Sequence, residues 1–255
     1  MLLENKNAII YGAGGGIGGA VARAFAREGA KLFLAGRTLA KVEAVAQEIS
    51  AAGGMAEVAQ VDALDEQAVE KHIGDVAKKA GGIDLLFNAI GMEDIQGTPL
   101  LDMSLDDFAH PVIIATRTQF LTGRAVARHM VKQGAGVILT ITAVPDPEGT
   151  PNVGGFDVAC AAVEGLWRSF AAELGPQGIR FGVLRSPGSP DTPDVQEVFR
   201  LHAKATGKSL EEYLAGSSSL PLVAEVANAA VLMAVDLASA RSETVAIVTC
   251  GYIVD

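Results

Sequence analysis

The stretch Tyr11-Gly-Ala-Gly-Gly-Gly-Ile-Gly18 narrows the folds open to this chain more than any other feature. It joins an apolar run at Asn7–Tyr11 to an amphipathic stretch at Ile17–Glu28, so the backbone must pass from strand to helix within a few residues. Side chains would obstruct such a turn. Their absence also lets the main chain approach a diphosphate and aim helix N–H groups at it. Gly14, Gly16 and Gly19 satisfy G-x-G-x-x-G, whereas Gly12, Gly16 and Gly18 give G-x-x-x-G-x-G and put a glycine directly after the strand. The plain alternative is a tight turn that binds nothing.

The same alternation continues to the end. Strand patterns fall near Asn7–Tyr11, Lys31–Ala35, Ala56–Val61, Asp84–Asn88, Gly136–Thr142, Ile179–Leu184 and Val245–Thr249. Helical patterns fall near Ile17–Glu28, Leu39–Ala52, Glu66–Lys79, Leu105–Gln133, Gly154–Leu174 and Leu222–Leu237, with Gly29, Gly53, Gly134 and Gly175 as stops. This pattern predicts an α/β fold, a Rossmann-like, doubly wound parallel seven-stranded sheet with helices on both faces. Residues 1–255 read as one domain, interrupted by a Pro-, Gly- and Ser-rich insertion at 186–219 with short helical patterns at Val195–Ala205 and Leu210–Leu214. An insertion after a strand's carboxyl end is placed to act as a lid over a ligand, or is simply a variable surface loop.

A net charge of −10 and a pI near 4.9 disfavour a nucleic-acid partner. No apolar run is long enough to span a membrane, and Met1–Asn7 carries Glu4 where a signal peptide would be apolar. Two cysteines, Cys160 and Cys250, give no disulfide framework. The expectation is a cytoplasmic protein with no nucleic-acid or membrane partner.

In dinucleotide-binding folds the end of the second strand carries an acid for the ribose hydroxyls of NAD, or a base for the 2′-phosphate of NADP. Here it reads Ala35-Gly36-Arg37-Thr38, with no acid until Glu43. Arg37, with Thr38 as a further donor, points to NADP(H) over NAD(H); a solvated arginine opening a helix is the alternative. Asp62, after the third strand, is placed to accept from an adenine amino group, or to cap the next helix.

With these motifs in place, nearly the whole chain resembles the classical-type short-chain dehydrogenases/reductases (SDR). Gly12/Gly16/Gly18 resembles their T-G-x-x-x-G-x-G with Tyr11 for Thr, and Asn88-Ala89-Ile90-Gly91 resembles their N-N-A-G. Pro187-Gly188-Ser-Pro-Asp-Thr192 resembles P-G-x-x-x-T, whose Thr meets the nicotinamide carboxamide. The stretches Ala161–Gly165 and Glu173–Arg180 are similar to that family's fifth helix and the turn behind it. The resemblance implies cofactor contacts from Gly12, Gly16, Ile17, Gly18, Arg37, Thr38, Asp62, Asn88, Ala89, Gly91, Pro187, Gly188 and Thr192. It also implies a homodimer or homotetramer acting on a small molecule.

The family's proton chemistry uses a tyrosine, a lysine four residues on, a serine and an asparagine. The resemblance puts Phe156, Cys160, Ala143 and Ala115 at those positions, so all four functional groups are absent. No other tyrosine is close, since the remainder are Tyr11, Tyr213 and Tyr252. Loss of the general acid alone costs about 10²–10⁴-fold. Substitutes in the sequence are weak. Thr142 could touch a substrate oxygen or only end a strand, and Asp157 points about 100° away from its neighbour on a helix. Cys160 lacks a nearby cation to activate it. His202 in the insertion could bring a proton on closure, or sit on the surface; His110, early on the fourth helix, is the other histidine placed near a substrate, and His72 and His129 are read as peripheral. Asp146 and Glu148 could line the substrate mouth. No His/Cys/Asp spacing suggests a metal. Three functions stay open: an NADP(H)-dependent oxidoreductase with a non-standard site, a silent NADP(H)-binding sensor, and non-redox chemistry on the same scaffold.

Overall fold

The computed structural model describes residues 1–144, 151–216, 220–235 and 244–248. Strands β1 (Asn7–Tyr11), β2 (Lys31–Gly36), β3 (Met55–Gln60), β4 (Leu85–Asn88), β5 (Gly136–Ala143), β6 (Ile179–Ser186) and β7 (Thr244–Ile247) form one parallel sheet in the order β3-β2-β1-β4-β5-β6-β7. The predicted Rossmann-like architecture is present. Between the strands run α1 (Gly16–Arg27), α2 (Leu39–Ala51), α3 (Glu66–Ala80), α4 (Leu105–Gln133), α5 (Phe156–Leu174), α6 (Pro193–Ala205), α7 (Leu210–Gly216) and α8 (Val223–Ala234).

Successive residues of a strand point to opposite faces, which gives the sheet two cores. On one face Ile10, Leu32 and Leu34 pack with Val21 and Phe25 of α1, Ile49 of α2 and Val231 of α8. On the other, Ile9, Phe33, Leu86 and Phe181 pack with Ile73 of α3, Met130 of α4 and Trp167 of α5. Central strands are therefore mostly apolar, with Asn88, Thr140 and Thr142 as buried exceptions toward their carboxyl ends, while edge strand β3 mixes exposed Met55 and Val58 with Glu57 and Gln60.

The chain winds outward from β1 to β3 and then returns to lay β4 against the other side of β1, with Tyr11 level with both Ala35 and Asn88. That reversal opens a crevice beyond the carboxyl ends of β1 and β4, where ligands bind in such sheets.

Gly29, Gly53 and Gly134 adopt the left-handed φ values of +91°, +85° and +73° that turn a chain out of a helix. Gly175 was expected to do the same and does not. It stays right-handed at φ −54°, the chain runs on through a tighter turn at Gly175–Gln177, and Gly178 at φ +86° makes the exit. Pro176 explains the shift, because its fixed φ suits the start of that turn. α5 begins at Phe156 rather than at the expected Gly154, which has φ +60°. The expected ends at Leu237 and Thr249, and the candidates Asp146 and Glu148, lie outside the described residues.

Candidate active site

The crevice is lined by the segments that follow β1, β2, β3 and β4, with Ile114 and Thr118 of α4. Ala89 N–H donates to the Tyr11 carbonyl at 2.9 Å, which clamps the ends of β4 and β1 together. A Cβ on Gly12, at φ +75°, would run into the Ala89 carbonyl, and one on Gly18 would run into the carbonyl of Gly12. At Gly16 it would lie 2.8 Å from the Thr192 methyl. The Gly12/Gly16/Gly18 register is thus the one this backbone requires, with Gly14 also pressed by Lys41 at 2.8 Å. Gly15 is the N-cap of α1 and offers no side chain, so the N–H groups of the first turn have no protein cap. A bare helix N-terminus beside a crevice suits an anion.

The cleft has a volume of about 190 Å³ and is walled by Gly12, Gly14 and Gly15, by Arg37 and Thr38 just after β2, by Asp62 just after β3, and by Ala89, Gly91 and Glu93 just after β4. Of the expected cofactor residues it brings together Gly12, Arg37, Thr38, Asp62, Ala89 and Gly91. Asp62 accepts from Leu64 N–H at 3.0 Å while Asp65 caps α3 through Gln67 and Ala68, so the capping alternative for Asp62 is corrected. Asn88 stands apart from the other expected contacts. It is wholly buried, its amide donates to the Thr122 hydroxyl at 2.8 Å and its oxygen accepts from Ile90 N–H at 3.1 Å, so it braces the wall from beneath. Pro187 precedes Gly188, where a Cβ would lie 2.9 Å from Phe199 of α6, and buried Thr192 donates its hydroxyl to the Ser189 carbonyl at 2.9 Å. Ile17 is partly buried on α1 against the first core. These residues fit an adenosine diphosphate: an uncapped helix end for the diphosphate, a guanidinium and a carboxylate flanking the ribose and base.

Beyond the cleft lies a different chemistry. Ala115 of α4, Ala143 of β5, and Phe156 and Cys160 of α5 share one apolar cluster with Met92, Ala159 and Val163. Burial pushes the Cys160 thiol up to about 12, against a smaller pull from the Ala143 backbone, so it remains protonated and inert. One turn further along α5, buried Glu164 accepts from Arg185 Nε and Nη2 at 2.8 and 2.5 Å and from the Thr142 hydroxyl at 3.0 Å. Burial raises the Glu164 pKa, but these hydrogen bonds outweigh it and leave the carboxyl below its usual range. Thr142 therefore turns to Glu164, not to a substrate. Sequence reading missed this pair; the signal was an acid in step with Phe156 and Cys160 at spacings of four along one helix face.

His202 of α6 is half-buried and reaches out of the insertion: its Nε2 lies 2.7 Å from Gln96 Oε1 and its Nδ1 3.4 Å from the Tyr213 hydroxyl. Gln96 in turn donates to Asp94 at 2.6 Å. Burial lowers the His202 pKa, with Asp157 and Asp94 opposing, so the ring is held toward its neutral form. His72 is not peripheral. Its Nδ1 is 2.9 Å from the Tyr11 hydroxyl, directly behind the glycine turn. His110 faces Glu93 at 3.4 Å. Among the described residues no cluster of His, Cys, Asp and Glu could hold a metal, and no helix is long and apolar enough to cross a membrane.

A family model described as enoyl-(acyl carrier protein) reductase matches residues 12–253. The chain belongs to the short-chain dehydrogenase/reductase family. Levodione reductase of Leifsonia aquatica is 32% identical over 209 residues, 81% of this chain and 78% of that protein. A crystal structure of levodione reductase superposes with a TM-score of 0.88 at 28% identity, covering 98% of both chains. NAD+-bound xylitol dehydrogenase, with a TM-score of 0.91 at 23% identity, covers 98% of this chain and all of its own; at that identity it shares the SDR fold alone. The same holds for a metagenomic short-chain oxidoreductase solved with NADP, at a TM-score of 0.77 and 23% identity over 97% of this chain and 98% of its own.

Proposed function

We propose that this SDR chain is an NADP(H)-binding oxidoreductase with a non-standard active site, acting in the cytoplasm on a small carbonyl or enoyl substrate. What carries the reading is the juxtaposition of an uncapped, glycine-walled cleft with an apolar cluster of Ala115, Ala143, Phe156 and Cys160 where the family resemblance places its proton-transfer groups. The helix N-terminus and glycine backbone would hold the diphosphate, Arg37 and Thr38 the adenosine 2′-phosphate, and Asp62 the adenine edge. A bound nicotinamide dinucleotide supplies a hydride. Phe156 has no proton to exchange, so this chain's own part is to bind and align the substrate. That suits an activated C=C bond, where the proton arrives on carbon from solvent, better than a ketone. The insertion at 186–219 is the lid of this single domain, supported by the seating of Phe199 against Gly188 and of His202 against Gln96. A second reading, a silent nucleotide sensor, is favoured by the same apolar cluster.

Titration of NADPH and NADH by cofactor fluorescence comes first, then a screen of enoyl and carbonyl compounds. The expected result is nucleotide binding, turnover of an enoyl substrate, and gain of ketone reduction when Ala143→Ser, Phe156→Tyr and Cys160→Lys are combined. Binding without any turnover selects the sensor. Absence of nicotinamide binding overturns both.

A further inference from the structure

The strand end that should carry a ribose-binding acid has none, yet an acid faces it from across the cleft. Glu93, five residues after Asn88 in the segment that leaves β4, pairs with the Arg37 guanidinium through Oε1 and lies 3.4 Å from His110 through Oε2. Both Arg37 and Glu93 line the cleft. Glu93 is held there by a left-handed backbone, φ +55°, one of three non-glycine residues with positive φ among those described. Arg37 is fixed from the other side, its carbonyl accepting from Gln60 Nε2 at 2.9 Å. Glu93 is ionised: the Arg37 hydrogen bond, and after it His110, keep its carboxyl below the usual range despite some burial.

We propose that Glu93 sets the balance between phosphorylated and unphosphorylated dinucleotide, as an internal anion on Arg37 that a 2′-phosphate must displace and that the ribose hydroxyls of NAD(H) leave in place. The inference rests on the reading of the cleft as a dinucleotide site. One guanidinium cannot serve a carboxylate and a phosphate equally, and the two anions repel each other at that distance. The Arg37–Glu93 pair is partly exposed, so it is weak enough to be opened. Once opened, Glu93 keeps His110 as its partner. With the pair closed, the second oxygen of Glu93 is an acceptor for a ribose diol, the part that the β2 end leaves unfilled. NADP(H) binding then opens the Arg37–Glu93 pair, and NAD(H) binding leaves it closed.

Two probes that differ only in the 2′-phosphate, 5′-AMP and 2′,5′-ADP, are titrated calorimetrically into the intact chain, into Glu93→Gln and into Arg37→Met, followed by NADH and NADPH. In Glu93→Gln the affinity ratio of 2′,5′-ADP to 5′-AMP rises about tenfold, as removal of one negative charge beside a phosphate dianion requires. Affinity for 5′-AMP stays level or falls. In Arg37→Met the ratio collapses, and adding Glu93→Gln to it recovers only part of the loss, because repulsion is relieved while the guanidinium that holds the 2′-phosphate is still missing. A ratio unmoved in Glu93→Gln while both probes still bind overturns the role of Glu93 and leaves the nucleotide site standing. Failure of every probe and of both dinucleotides to bind the unaltered chain removes the site and the proposal together.

Discussion

Tyr11 and His72 show how a single residue choice reaches the cleft. The ring of Tyr11 is buried at the end of β1, edge-on to His72 at 5.5 Å between centroids, and their hydroxyl–nitrogen hydrogen bond satisfies two polar groups that would otherwise be orphaned. Burial, with a small push from Lys71 and an opposing pull from Asp75, lowers the His72 pKa from 6.5 to about 4, and burial raises that of the Tyr11 phenol. Between those two His72 values the unfolded chain binds a proton that the folded chain refuses. Stability is therefore full above the unfolded pKa near 6.5 and is lost as pH falls toward 4, by on the order of 3 kcal/mol. His202 acts in the same direction, so the diagnostic quantity is a difference. Urea unfolding of the wild type and of His72→Phe between about pH 7 and pH 4.5 should give a steeper pH dependence for the wild type, by up to one proton. Superimposable slopes would show that His72 already carries its proton when folded. The sequence marked the glycines of this turn by their place between strand and helix, although what crowds Gly12 and Gly16 is Ala89 and Thr192, far along the chain. It did not place His72, Glu93 or Glu164, whose roles depend on neighbours 61, 56 and 21 positions away.

Element by element, what could be read ahead follows how local the cause is. Hydrophobic periodicity located each strand and helix to within a few residues, and the wrong stop at Gly175 came from weighing that glycine above the adjoining Pro176, whose fixed φ carries the chain through one more tight turn. On α5, Phe156 and Cys160 could be found by motif, but the consequence of their neighbour Glu164 could not, since its partner Arg185 lies at the end of β6, past the expected strand end at Leu184. This pair joins α5 to the carboxyl ends of β5 and β6 beside the apolar cluster. Glu164→Ala would strand the Arg185 charge in a mostly buried position and should cost about 3 kcal/mol in urea unfolding. Replacing both, Glu164→Leu with Arg185→Met, should recover most of that loss, because two apolar groups need no partner. A double variant as unstable as the single one would mean that the loss comes from breaking the pair itself and not from the stranded Arg185 charge.

At the scale of the whole molecule, α4 and α5 pack on each other, with Trp167 against Gly123 and Phe120 stacked on Phe170 at 6.1 Å. Their outer surface still leaves Ile113 and Val158 about half exposed, at 51% and 46%, and Phe120 at 41%. Ile113 and Phe120 lie two helical turns apart and so share a stripe of α4. Arg124, over the Phe120 ring and paired with Glu66 and Glu70, gives that stripe a charged border. An apolar patch with a charged border is the surface that a two-fold homodimer, or one half of a homotetramer, would bury, and that is the assembly expected in solution. The driving force would be apolar, while the long-range force between copies is repulsive, each carrying a net charge of −10. Raising ionic strength from about 0.01 to 0.15 M shortens the screening length from roughly 30 to 8 Å, so association should tighten with salt, the opposite of an assembly held by ion pairs. Sedimentation velocity of the wild type and of Ile113→Lys with Phe120→Glu tests both halves of this argument. The variant should be monomeric with its nucleotide affinity retained, because the cleft draws only Ile114 and Thr118 from α4. A wild-type monomer at micromolar concentration would refute the assembly, and a dimer that loosens with salt would put charge, not apolar contact, at its interface.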